Sequence, residues 1–566
     1  MPLEINTLRR SAVYTADSSP FPPKGNGANE RTPLIKPGGS DYEAQPNGSG
    51  PPEEETTVIA QELPFHRLAI IFATAWVGVF LGAVDSTIIA TLSAPISSEF
   101  KSLSLLSWLA TAYLIATAVC QPISGRMTDI FGRGPGLIFS NIFFAAGNLI
   151  CGFATDVPQM ILGRVIAGIG GGGLTSIATF LGSDLIPLRK RGVVQGILNL
   201  CFGSGAMLGG VIGGLLSDHT KQGWRLAFII QAPPTILSAV GVYFFVRIPP
   251  KLSRKSSLAR IDFLGGFLIV SFLVLLLLGL TTGGNNVPWT HPLPLTTIPL
   301  GVLAFFLFLW WESRVSQPII PVKLLAERTV LTACLSNFFC TMAMLSALFY
   351  IPLYLQVRGY TATEAGFLII SSPVGGSCGS VGAGIMMKRT GKYTRLGVSS
   401  LLVMTSGVII FTFHNENSHP WLTPVAFFLV GGGYGAMLTT TLLACIAAVE
   451  HSHQAVVTSA TYLGRSVGSN LGITISSAVY QNVLTNKLWD KFGSYPDAAK
   501  EIARIRNDIM ELKHLPDGWH EGVIESFMGA FHAVFLTLLG MVIAGLVCVS
   551  LMRHHTLHST LDRGER

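Results

Sequence analysis

The sequence predicts an all-α polytopic membrane protein, and two observations carry that prediction. Only 12% of the 566 residues are charged, where a soluble domain has about 25%. Apolar runs of about 20 residues, the length a helix needs to cross a bilayer, recur between residues 68 and 551. A third observation points to function. Residues 81–96 (LGAVDSTIIATLSAPI) place Asp85 deep inside such a run, where a charge costs at least about 2.5–3.5 kcal/mol on insertion scales. No other acid lies so deep in an apolar segment of the sequence.

Residues 1–64 are rich in Pro, Gly, Ser, Asn and Glu. They bury too little apolar surface to fold alone and read as a disordered cytosolic tail. The first sixty residues lack the apolar core of a secretory signal peptide. Within the tail, Glu30 is followed by Leu34 and Ile35. The spacing resembles an acidic dileucine sorting signal, which a sorting adaptor would hold in an apolar groove. The sequon Asn47-Gly48-Ser49 falls on the cytosolic side and is expected to stay unmodified.

Fourteen spans are expected, at about 68–95, 105–124, 135–154, 158–183, 193–215, 226–247, 263–282, 295–312, 329–353, 364–387, 396–413, 421–447, 454–482 and 526–551. Basic residues concentrate in alternate loops: Arg126 and Arg133; Arg189, Lys190 and Arg191; Lys251, Arg254, Lys255 and Arg260; Arg314, Lys323 and Arg328; Lys388, Arg389, Lys392 and Arg395. The excess of positive charge on cytoplasmic loops then puts both termini in the cytosol. The long connection 483–525 faces the lumen or the outside, with a surface helix expected over 498–512. All eight cysteines lie in apolar segments, and no CxxC occurs; they read as small packing residues.

Gly125 precedes Gly132-Arg133 by seven residues, and Gly384 precedes Gly391-Lys392 by seven. Both patterns follow the second helix of a six-helix block. This internal repeat predicts two six-helix halves, 65–248 and 326–552, joined by a linker, 249–325, with two inserted helices. A short cytosolic tail, 553–566, ends the chain.

The segment Gly125-Arg126-Met127-Thr128-Asp129-Ile130-Phe131-Gly132-Arg133 resembles the cytosolic loop motif of the major facilitator superfamily. The resemblance implies the major facilitator fold, with Gly125, Asp129, Gly132 and Arg133 controlling closure of the halves. Asp129 and Arg133 are expected to pair with each other and with helix dipoles across the gap. Gly163-Arg164-Val165-Ile166-Ala167-Gly168-Ile169-Gly170 resembles that superfamily's buried-arginine motif, with Ala167 in place of the usual glutamine. Arg164 lies roughly 10 Å from the lumenal helix end at ~1.5 Å per residue. Asp85 lies slightly deeper on a helix running the other way, so the two could line one cavity. Gly168, Gly170 and Gly173 also match a dinucleotide-binding pattern, but no strand precedes them, and small residues at mid-membrane serve helix packing. Gly205, Gly209, Gly213 and Gly214 resemble an antiporter motif, with Gly210 where proline is usual. Trp224-Arg225 through Pro233, Ile261-Asp262-Phe263-Leu264-Gly265 and Pro318-Ile319-Ile320-Pro321 resemble the fourteen-span drug:proton antiporter branch.

Residues 83–96, 102–115 (SLSLLSWLATAYLI, with Tyr113), 139–152 and 182–192 resemble the fungal vacuolar basic amino acid transporters. That resemblance implies exchange of cytosolic lysine, arginine or histidine for lumenal protons. The partners would be cationic amino acid, protons, the lipid bilayer and a sorting adaptor, with neither nucleic acid nor a metal. No cofactor is needed, since the proton gradient drives transport. Asp85 is the expected proton carrier, cation counter-charge, or both in turn. Arg164 is expected to meet the substrate carboxylate. Tyr113, Arg465 and Asn470 complete the expected site; for the last two a structural role stands equally open. His532 reads as a packed histidine, and Glu312, Glu364 and Glu450, at span ends, read as structural. The competing expectations are plasma-membrane efflux of drugs, toxins or siderophores, and a non-transporting nutrient sensor. No nucleophile–base or metal constellation suggests an enzyme.

Overall fold

A computed structural model describes residues 64–100, 104–220, 223–246, 262–283, 287–315, 318–360, 362–415, 418–450, 453–495, 498–507 and 518–555. Glu30, Leu34 and Ile35 of the expected sorting signal lie outside the described residues, as does the basic cluster Lys251 to Arg260. The described chain is helical: α1 Phe65–Glu99, α2 Ser104–Phe131, α3 Arg133–Gly152, α4 Val157–Leu185, α5 Leu188–His219, α6 Trp224–Ile229, α7 Ala232–Phe245, α8 Phe263–Thr282 and α9 Pro292–Glu312. There follow α10 Val322–Leu325, α11 Arg328–Val357, α12 Ala362–Ile369, α13 Ser371–Thr390, α14 Thr394–Thr412, α15 Leu422–Ala448, α16 Gln454–Phe492, α17 Ala498–Asn507 and α18 His520–Ser550.

Twelve stretches of these helices are long and apolar enough to cross a membrane. Two further helices, α2 and α16, have the length, at 28 and 39 residues, but are more polar and pack on each other. Together these are the fourteen expected spans. Two are broken by proline, which lacks an N–H and cannot extend a helical ladder backwards. Pro233, in the first turn of α7, accompanies the break at Ile230–Gln231. Pro373, near the start of α13, accompanies the break at Ile370.

The expected boundaries fail where helices outrun the apolar run. The span expected at 105–124 continues to Phe131 in α2, so Gly125 and Asp129 sit on a helix end rather than in a loop. Likewise α16 runs to Phe492 and α18 starts at His520. Intrahelical hydrogen bonding continues past the hydrocarbon edge, so hydropathy underestimates such helices. The expected surface helix is α17, ten residues long.

The largest apolar cluster is drawn wholly from Val330 to Met552. Two others come from Ile71 to Val246, joined by Ala455. Helices α8 and α9 lie against the seam of α2 and α16. Ile269, Phe272 and Leu273 share a cluster with Val456 and Ala460 of α16, and Leu277 packs with Ile115 and Ala118 of α2.

Candidate transport site

Asp85 and Arg164 form an ion pair inside the first block of helices. Arg164 Nη1 lies 2.8 Å from Asp85 Oδ2, and the two side chains are 0% exposed at Asp85 and 1% at Arg164. Arg164 Nε donates to the Leu109 carbonyl at 3.0 Å. Its guanidinium stands 4.4 Å from the Tyr113 ring centre and 6.0 Å from that of Phe228. The Tyr113 hydroxyl donates to the Gly82 carbonyl at 3.2 Å. Asp85, Arg164 and Tyr113 thus meet where α1, α4 and α2 touch.

Glycine makes this meeting close. A Cβ at Gly168 would lie 2.6 Å from the Tyr113 carbonyl oxygen, and one at Gly171 would collide with the Tyr113 hydroxyl. Thr117 Oγ1 donates to the Gly168 carbonyl at 3.1 Å, fastening α2 to α4. On the other flank, Gly205 and Gly209 of α5 would place a Cβ 2.5 Å from the carbonyls of Phe80 and Val84, just before Asp85 on α1. Gly213 is buried. Gly214 faces open space, so nothing in its packing requires glycine.

Gln231 is a member of the site that the sequence does not single out. It is 2% exposed, flanks the Asp85 carboxylate, and donates Nε2 to the Ala227 carbonyl at 2.9 Å. Its position follows from the break between α6 and α7, where hydropathy predicts one uninterrupted span.

Arg465 and Asn470, both on α16, are not brought to this pair. Asn470 Nδ2 donates to the Ser466 carbonyl of its own helix at 2.8 Å. Ser466 Oγ donates to Gln121 Oε1 at 3.0 Å, which fixes the level of Arg465 against α2. Gln121 and Tyr113 stand roughly 12 Å apart along α2 at ~1.5 Å per residue. A polar belt surrounds this second level. The Tyr462 hydroxyl meets Thr179 Oγ1 of α4 at 2.7 Å, and the Tyr434 hydroxyl of α15 meets Thr341 Oγ1 of α11 at 2.9 Å. A narrow cleft between α1, α4, α5 and α15 is lined by Trp76, Thr179, Ser183, Arg191, Gln195 and Leu442.

The α2–α3 end is bolted shut. Arg133 pairs with Asp129 at 2.6 Å, as expected, and with Asp184 of α4 at 2.7 Å; Thr128, the Gly125 carbonyl and the Phe180 ring also surround it, so these contacts stay within its own block rather than crossing the expected gap. Gly132 turns the chain at φ 98°. Gly125 faces α16, where a Cβ would collide with Ser459. Arg191 crosses from α5 to α16, donating Nη1 to Gln454 Oε1 at 2.7 Å, while it also holds the Ser183 and Ile186 carbonyls. Arg189 donates to the Lys388 carbonyl of α13 at 2.9 Å. The sequence assigns no individual role to Asp184, Arg191 or Gln454, although the first two fall in the stretch 182–192 that carries a family resemblance.

At the α3–α4 end, Glu99 accepts from Trp224 Nε1 and Arg225 Nη1, each at 2.6 Å. Burial pushes its carboxyl up, but the hydrogen bonds from Arg225 and Trp224 outweigh this and hold it below the usual range. Among the described residues no three His, Cys, Asp or Glu side chains group in a way that could hold a metal ion.

Comparison with known proteins agrees with this architecture. Residues 75–473 match the Major Facilitator Superfamily. The multidrug resistance protein fnx1 of Schizosaccharomyces pombe is 36% identical over 510 residues, covering 89% of this chain and 96% of that protein. The vacuolar membrane amino acid uptake transporter fnx2 of the same yeast is 33% identical over 484 residues, covering 85% and 83%. Among solved structures, the human organic anion transporter MFSD10 superposes with a TM-score of 0.56 at 13% identity, covering 86% of this chain and all of that one, a likeness of fold alone. With its helices, its paired Asp129 and Arg133 and the match over residues 75–473, the chain belongs to the major facilitator superfamily of membrane transporters.

Proposed function

We propose that the protein is a proton-coupled antiporter that moves basic amino acids (lysine, arginine, histidine) from the cytosol into the vacuole, with both termini cytosolic and no cofactor. The observation that carries this is the sealed Asp85–Arg164 pair. Of the three buried acids among the described residues, Asp129 and Glu312 sit at helix ends, and Asp85 alone sits mid-helix.

The pair suits a proton carrier that acts on substrate at a distance. Ionised Asp85 cancels Arg164. A proton on Asp85 leaves Arg164 uncompensated, roughly 12 Å from the polar belt around Gln121 and Ser466. Two like charges at that separation repel by about 1.4 kcal/mol at an effective dielectric of about 20, about tenfold in affinity for a cationic substrate. Lumenal protonation thus expels the cation, and cytosolic deprotonation readmits it. Substrate and proton exclude each other without sharing an atom. Closure at the α2–α3 end through Gly125, Arg189 and Arg191 supplies one of the two gates.

The name of fnx2 supports vacuolar amino acid uptake. The name of fnx1 favours a second reading, efflux of drugs at the plasma membrane. The belt of Gln121, Thr179, Thr341, Tyr434, Tyr462 and Ser466 favours a small polar substrate, since sites for apolar drugs are lined mainly by apolar and aromatic groups. Uptake of labelled lysine into energised vacuolar vesicles tests the proposal. It is expected to be abolished by a protonophore and by Asp85→Asn. Lysine uptake that ignores both treatments, or a tagged full-length chain found at the plasma membrane, overturns it.

A further inference from the structure

We propose that Arg465, framed by Tyr462 and Tyr434, is the receptor for a carboxylate on the transported molecule; this deepens the amino acid reading above and rests on it for the identity of the substrate. Five other arginines in and around the bundle have acids, an amide or carbonyls as partners. Arg133 has Asp129 and Asp184. Arg164 has Asp85 and the Leu109 carbonyl. Arg191 has Gln454 and two carbonyls. Arg225 has Glu99 and the Ala154 carbonyl, and Arg358 has the Ser418 carbonyl. Arg465 differs from these five. Among the described residues its Nε is sealed from solvent with no hydrogen-bond partner, and its guanidinium carbon lies 3.8 Å from the Tyr462 ring centre.

An arginine stays charged at any pH a cell reaches, and a partly desolvated charge without a counter-ion is held at a cost that a ligand can relieve. Stacking on Tyr462 occupies a face of the guanidinium and, among the described residues, leaves the edge that carries Nε–H without an acceptor. That edge is the fork that fits a carboxylate with two parallel hydrogen bonds. The surroundings are fixed in place: the Tyr462 hydroxyl is tied to Thr179 of α4. The Tyr434 hydroxyl, within electrostatic reach of Arg465, is tied to Thr341 of α11. Arg465 is half-buried rather than sealed, whereas Arg164, the residue that the sequence suggests for the carboxylate, is 1% exposed and engaged by Asp85. The carboxylate role therefore moves from Arg164 to Arg465. It separates the substrate's anionic end, held at the polar belt, from the proton, held at Asp85.

The test is ligand-induced thermal stabilisation of the purified full-length protein by L-lysine, L-lysinamide, L-leucine and L-leucinamide. Each amide keeps the amine and side chain of its acid and lacks the carboxylate. The wild type is expected to bind lysine roughly ten- to a hundredfold more tightly than lysinamide, the range of a hydrogen bond to a charged group. Arg465→Gln is expected to erase that preference and Arg465→Lys to keep part of it, so that Arg465→Lys decides if Arg465→Gln does not fold. No preference in the wild type, or a preference that survives in Arg465→Gln, overturns the proposal. If neither lysine nor lysinamide binds but leucine is preferred to leucinamide through Arg465, the receptor stands and the basic amino acid reading fails. If lysine binds without preference over its amide, the receptor fails and that reading stands.

Discussion

Arg164 Nη1 and Asp85 Oδ2 meet at 2.8 Å with both side chains sealed from solvent, so each residue is the other's condition for being buried. Removing one charge from such a pair strands the other, which costs about 3–5 kcal/mol, whereas removing both is often neutral. Asp85→Asn is therefore expected to lower the stability of the purified protein by that amount and to stop proton-driven lysine uptake. The double variant Asp85→Asn, Arg164→Gln is expected to regain most of the stability and none of the uptake. Denaturation curves and vesicle uptake on the same three proteins check this. A single variant as stable as the wild type would mean that the pair does not hold α1 to α4.

Gly125 sits where α2 meets α16, and a Cβ there would collide with Ser459 Oγ and come within 3.4 Å of the Ala455 carbonyl. Gly125→Ala should wedge the α2–α3 end open, with an overpacking cost of about 1–3 kcal/mol and slowed transport. Adding Ser459→Gly removes the atom in the way, and most of both effects should be recovered. The check is a double-mutant comparison of melting temperature and uptake rate. Strict additivity of the two substitutions would show that the contact is not what makes glycine necessary.

These two sites differ in how far the sequence reveals them. A charge in an apolar run is conspicuous because the bilayer makes it expensive, which is why Asp85 and Arg164 stand out from the sequence alone. Gly125, Asp129 and Arg133 stand out as a spaced pattern that recurs at Gly384 and Gly391. Gln231 does not, because a neutral amide carries no such penalty, and its proximity to Asp85 exists only once α6 and α7 break. Asp184 and Gln454 are ordinary polar residues at helix ends until the fold chooses Arg133 and Arg191 as their partners. Depth is the other hidden quantity. Nothing in the α16 sequence marks where it crosses α2; the contacts of Ser459 with Gly125 and of Ser466 with Gln121 give Arg465 and Asn470 a level separate from Asp85.

Arg191 and Gln454 join α5 to α16 at 2.7 Å, while Arg191 remains held by the Ser183 and Ile186 carbonyls of its own block. Gln454→Ala should therefore weaken the seam without unfolding the first block. A double-mutant cycle with Arg191→Lys is expected to return a coupling of about 1.5–3 kcal/mol, the range for a hydrogen bond to a charged donor. The cycle is read from chemical denaturation. A coupling near zero would place the closure of this end on Arg189 and the glycine contacts instead.

Glu99 gives a pH dependence with a definite sign. Its carboxyl is held below the ordinary range, since the hydrogen bonds from Arg225 and Trp224 outweigh the opposing effect of burial. A depressed folded value means that the unfolded chain binds the proton first. The stabilisation is complete above the unfolded value of about 4.3 and is lost as pH falls from there through the lower folded value. Its size is limited because Glu99 and Arg225 are 46% and 30% exposed, and pairs screened by solvent contribute about 0–1 kcal/mol. Glu99→Gln keeps an acceptor for Trp224 and removes the charge. Its stability deficit relative to the wild type should be constant at neutral pH and shrink to nothing as the solution is acidified below pH ~4. In the proposed orientation this end faces the acidic lumen, where a depressed carboxyl keeps the Arg225 clamp ionised while the proton acts at Asp85. Melting curves of both proteins across that range decide the matter, because a deficit that widens on acidification has the wrong sign for a carboxylate stabilised by Arg225.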